Sequence, residues 1–109
     1  MTEEEKVVLS KEFHGAMIDI CRRAHRECKY VAHYFMGMVG EHGGLEAAKI
    51  LLHAPNAQSG LERLRELGRL DISMERIVVE PRFAPLFTME ERRVARKRLL
   101  EMGYPREKL

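Results

Sequence analysis

Apolar residues recur at steps of three, four or seven from Phe13 through Met17, Ile20, Ala24, Val31 and Phe35 to Met38, the period of one buried helical face. No proline interrupts this stretch, and glycine occurs only near its two ends, at Gly15 and Gly37. The pattern predicts one unbroken helix over Phe13 to Met38, about 26 residues and about 39 Å long at 1.5 Å per residue, with Ser10 placed to supply an N-cap oxygen. Gly37, Gly40, Gly43 and Gly44 lower helix propensity and supply the conformations of a turn, so the chain is expected to reverse there.

Shorter elements follow. Leu45, Ala48, Leu51 and Leu52 share one side of a helix that must stop before Pro55, because the residue before proline avoids α geometry. Pro55 to Gly60 is polar and turn-rich. Leu61, Leu64 and Leu67 mark a helix closed by Gly68 in a left-handed cap. Ser73, or else Asp71, caps the next helix, in which Met74, Ile77 and Val78 face inward and which Pro81 ends. The β-forming run Ile77 to Val79 competes as a strand, but it is short, follows a cap signal and has no partner strand. Phe83, Leu86 and Phe87, bounded by Pro81 and Pro85, form an irregular turn pinned onto the core. Thr88 and Glu91 then make a T-x-x-E capping box for a helix with Ala95, Leu99 and Met102 inward, stopped at Gly103. Residues 1–9 and 104–109 are expected to be frayed tails. The expected fold is all-α, a single domain over residues 1–109 in which about four shorter helices wrap one long one.

Composition agrees with a folded globular chain, at 45% hydrophobic and 33% charged over 109 residues with four prolines and eight glycines, enough for one hydrophobic core. No apolar run approaches the roughly 18 to 20 residues that span a bilayer, and MTEEEKVVLS is acidic where a signal peptide is basic; the expectation is a cytoplasmic protein. Cys21 and Cys28, seven apart on one predicted helix, have Cα atoms about 10 Å apart, too far to bridge, so free thiols in a reducing compartment are expected.

His14, Cys21, His25 and Cys28 share one flank of the predicted helix, but only Cys21 with His25 and His25 with Cys28 are one turn apart. A closed zinc site would need two more ligands, from His42 or His53 for instance. Without a C-x-x-C or H-E-x-x-H spacing, the flank reads as half-buried packing, and neither metal nor cofactor is expected. A thiol nucleophile would need an electropositive, partly open pocket, and no Gly-rich phosphate loop follows a strand; no enzyme is expected.

Basic residues change the picture more. Arg22, Arg26, Lys29 and His33 recur every three or four residues opposite the apolar stripe, and Arg92, Arg93, Arg96, Lys97 and Arg98 crowd the last helix. Two such faces could engage phosphates. Against this, the net charge is only +2, Glu27, Glu90, Glu91 and Glu101 lie close by, and neither a recognition-helix motif nor a base-stacking aromatic set accompanies the charge.

The stretch from Phe13 to Leu99 resembles a group of small bacterial helical proteins of uncharacterised role. The likeness is carried by Glu27 and Tyr30, by Gly43, Gly44, Leu45 and Ala48, by Gly68, Arg69, Leu70 and Asp71 followed by Glu75 and Val78, and by Leu86, Phe87, Thr88 and Glu91. It implies a prokaryotic, intracellular, all-helical domain and assigns no catalytic or binding residue. Within it Arg69 and Asp71 are placed to pair. A rod longer than four short helices can cover, together with seven methionines able to form an adaptable surface, points to a non-enzymatic interaction module that binds a protein partner or itself, as an accessory to a larger machine. Nucleic-acid binding by the two basic faces is the alternative.

Overall fold

A computed structural model describes residues 1–55 and 59–109. They form six α-helices and three 3-10 turns: α1 (Glu3–Cys28), α2 (His33–His42), α3 (Gly44–His53), α4 (Ser59–Glu66), a turn at Leu70–Ile72, α5 (Met74–Val78), a turn at Pro81–Leu86, α6 (Met89–Glu101) and a turn at Arg106–Lys108. The fold is all-α, one long helix packed by shorter ones, and the described residues include no strand. Ile77 lies in α5, the rejected strand position. No helix among the described residues is long and apolar enough to cross a membrane. Of the expected Pro55 to Gly60 loop, residues 56–58 lie outside the described residues, while Ser59 and Gly60 already belong to α4.

The long helix has the expected length of 26 residues but runs ten positions earlier, from Glu3 to Cys28 rather than from Phe13 to Met38. Its start is set by a capping box at Thr2, whose hydroxyl accepts from the Glu5 amide at 3.1 Å while the Glu5 carboxylate accepts from the Thr2 amide at 3.4 Å. Glu3, Glu4 and Glu5 lie in its first turn, where the helix dipole favours acids. Ser10 is therefore interior, and Glu3 to Leu9 are helix rather than a frayed tail.

At the other end Lys29 takes a left-handed conformation with φ of 55°. The Lys29 amide donates to His25 O and the Tyr30 amide to Ala24 O, the paired closure of a Schellman turn. The apolar period continues through Val31, Phe35 and Met38, but the chain has turned and begun α2 at His33. Gly37 and Gly40 are interior to α2, and Gly43, with φ of 83°, makes the reversal alone.

The core is built on α1. Phe13 is fully buried and meets the edges of Phe83 and Phe87 with ring centroids 5.1 Å away in each case, the geometry aromatic quadrupoles prefer. Thus the Pro81–Leu86 turn is pinned as the pattern expects. Met17, Ala47, Ala48, Ile72, Val78, Ala95 and Leu99 complete the interior. The far end is fixed too: Tyr104 accepts a hydrogen bond from Arg76 Nε at 2.9 Å, so the last residues are not a free tail.

α3 meets α1 at Gly44. A Cβ there would lie 2.7 Å from the His14 Cα and 3.1 Å from the Met17 side chain, and the Gly44 amide donates to His14 Nδ1 at 2.8 Å. Glycine is required by that approach. Gly44→Ala is expected to cost about 2 kcal/mol and to lower the thermal midpoint by roughly 10 °C; an unchanged melting curve would mean that the helices separate there at no cost.

Candidate functional site

A cavity of about 240 Å³ lies between α1, α4 and the start of α5. Ile20, Cys21 and Ala24 of α1 wall it on one side and Leu61 and Leu64 of α4 on another, all buried. Tyr34 and Gly60, both exposed, border its mouth. Ser73, Met74 and Glu75 close it at the start of α5.

Glu75 is the charged group on this wall, and it is 4% exposed. Its placement follows from the local sequence. Ser73, buried, donates its hydroxyl to Leu70 O at 2.7 Å and accepts from the Arg76 amide at 3.1 Å, which starts α5 so that Met74, Glu75 and Val78 turn inward together. Opposite stands Arg98, 5% exposed. It donates from Nη1 to Glu75 Oε2 at 3.3 Å and from Nη2 to Ala54 O at 3.0 Å. Burial pushes the Glu75 carboxyl up from its ordinary value, against the opposite pull of its own backbone amide and of Arg98. Arg98 was expected on a basic surface; it sits on the inward stripe between Ala95 and Leu99 and is core.

A second buried carboxylate, Glu91, ties α6 to α3. It closes the Thr88 capping box, accepting from the Thr88 amide at 2.8 Å, and also receives Lys49 Nζ at 2.7 Å and His53 Nε2 at 3.0 Å. Burial alone would raise this carboxyl, but hydrogen bonds from Lys49, the Thr88 amide and His53 outweigh it and hold it at about 2. At the end of α1, Arg69 forks onto both Asp71 oxygens at 3.0 and 3.2 Å and reaches Glu27 at 2.8 Å. Arg23 bonds the same Glu27 at 3.0 Å, and these two arginines hold the Glu27 carboxyl at about 2. The expected Arg69–Asp71 pair is therefore part of a clamp joining α1 to the segment before α5.

The predicted basic residues are spread over α1, its left-handed end, α2 and α6. Arg22 and Arg26 are exposed on α1, Lys29 is exposed at its left-handed end, and His33 belongs to α2, so the four-residue ridge is broken. Arg26 lies 3.4 Å from Glu27. On α6, Arg93 pairs with Glu90 through two contacts of 2.9 and 2.6 Å, Lys97 lies 3.7 Å from Glu101, and Arg96 is exposed. Arg92 is half-buried, and its Nε has no partner among the described residues. α6 is held chiefly by α5 and α3, so its cluster and the α1 cluster lie on separately packed elements.

The His and Cys flank also divides. Cys21 faces the cavity and burial pushes its thiol up, whereas His25 is exposed and Cys28 half-buried; no group of three or more His, Cys, Asp or Glu converges among the described residues. A second, wider groove carries Lys11, His14, His42 and Lys49. There the Gly44 amide is taken by His14 and Lys49 by Glu91.

No family model, curated protein or solved structure matches this chain. The site is therefore read from its own geometry; from the sequence Glu75 has no assigned role, and its partner Arg98 is counted with the basic face of the last helix. The available signal was positional: each interrupts an otherwise apolar inward stripe, and the two carry opposite charge.

Arg98→Met alone strands the Glu75 charge and is expected to cost about 3 to 5 kcal/mol in urea denaturation, whereas Glu75→Leu with Arg98→Met recovers most of it. Equal losses in the single and double variants would contradict the pairing. For Glu91, the folded value of about 2 lies below the ordinary 4.5. Its stabilisation is complete above pH 4.5 and is lost as pH falls toward 2, about 3 kcal/mol over that range. Glu91→Gln should flatten this part of the stability profile; a profile as steep as the parent's would assign the acid lability elsewhere.

Proposed function

We propose that the protein is a non-enzymatic helical interaction module that binds a protein partner or a second copy of itself through α2. The observation that carries this reading is the poor burial of an apolar helix. α2 reads HYFMGMVGEH, yet Val39 is its one buried residue, leaving Tyr34 73% and Met36 46% exposed with Phe35 and Met38 half-buried beside them. Adjacent exposed apolar side chains mark contact surfaces, and methionine adapts to varied partners. The reading differs from its sequence-based form in where the contact lies, since the N-terminal overhang of α1 carries only Val7 and Val8 among its exposed large apolar groups past Met1.

The alternative, nucleic-acid binding through Arg22, Arg26, Lys29, His33, Arg92, Arg93, Arg96 and Lys97, has less support. Its cations lie on separate elements, and Arg26, Arg93 and Lys97 face carboxylates.

Met36→Glu tests the contact face. Being exposed, it should change stability by no more than about 0.5 kcal/mol while abolishing the concentration-dependent mass in light scattering or the recovery of a partner in pull-downs. A strict monomer that recovers no partner, or a Met36→Glu variant that associates like the parent, would overturn the reading.

A further inference from the structure

We infer that the cavity behind α2 is a binding site for a small neutral molecule with an apolar, fused-ring-sized body and a single N–H or O–H donor, the donor bonding the Glu75 carboxylate. Three observations converge on that chemistry. The side walls, Ile20, Ala24, Leu61 and Leu64, are hydrocarbon. A cavity of about 150 Å³ lined by apolar groups takes benzene, so about 240 Å³ accommodates a body of two fused rings.

The polar end is built rather than incidental. Glu75 is 96% or so out of water, being 4% exposed, and its Oε2 is engaged by Arg98. Besides Arg98 and its own backbone amide, no donor reaches the carboxylate from the described residues, and a carboxylate can accept about four hydrogen bonds. A carboxylate on the wall of an apolar cavity selects for a donor, because a hydrogen bond to a charged group away from water is stronger than a neutral one. Arg98 already balances the carboxylate charge, so a ligand cation would bring an uncompensated charge into the core at high cost. The head is therefore neutral.

This site shares Tyr34 and Phe35 with the contact face proposed for α2, but Met36, on which the test of that face rests, does not line the cavity. The test compares indole with indene, nearly the same shape without the N–H donor, by displacement of N-phenyl-1-naphthylamine fluorescence from the full chain. Indole should bind at least tenfold more tightly than indene. Ala24→Leu, which fills the cavity from α1, should abolish binding of both while keeping the parent's helical circular dichroism, and Met36→Glu should leave indole binding unchanged. Absence of indole binding at millimolar concentration, equal affinity for the two probes, or retained binding in a folded Ala24→Leu protein would each overturn the inference.

Discussion

Glu75 and Arg98 leave water together, and the second half of the chain is arranged so that they can. α5 must begin at Ser73 for the carboxylate to point inward, α6 must present Arg98 in line with Ala95 and Leu99, and the end of α3 must bring the Ala54 carbonyl within 3.0 Å of the guanidinium. A buried pair of this kind adds little net stability, since desolvation consumes much of the Coulomb attraction. Its effect is on alternatives. Any packing that shifts α6 by a residue leaves one charge alone in the core, which is far worse than losing an apolar contact. The cavity inherits this definition because Glu75 is one of its walls.

Around that pair, the other polar contacts fasten one element to another. Glu91 joins α6 to α3, Arg69 joins the end of α1 to the segment before α5, and Arg76 reaches Tyr104. A short helix such as α5 is positioned by these contacts as well as by its buried Met74 and Val78. The apolar cluster centred on Phe13 supplies the interior, and the charged groups select among the ways of closing it.

Most of the fold was legible from local chemistry. The Thr88 box, the Ser73 cap, the Gly68 stop and the pinned Pro81 turn are short-range devices, and each stands where its residues place it. The main displacement, the long helix, has a physical cause: hydrophobic period reports burial, not helicity. The first turns of α1 are exposed and carry no stripe, so only the Thr2 box could reveal them. At the other end the stripe stays in phase across a turn whose left-handed residue is a lysine rather than a glycine. The candidate site was less legible for a different reason. A cavity is the space that side chains leave, a property of three helices at once, and Arg98 was hidden inside a run of surface cations.

The overhang of α1 gives the molecule an unequal distribution of internal cohesion. Residues 3–8 are helical yet exposed throughout, continuous with the globule through the backbone ladder of α1 and closed at the tip by the Thr2 cap. A helix of six residues does not sustain itself in water, so this segment exists as growth from the buried turns near Phe13. It melts from its tip without disturbing the core, a separate unit of low opening energy on an otherwise cooperative body. The longest element is thus rigid where α3 and the Pro81 turn grip it and labile where it leaves them.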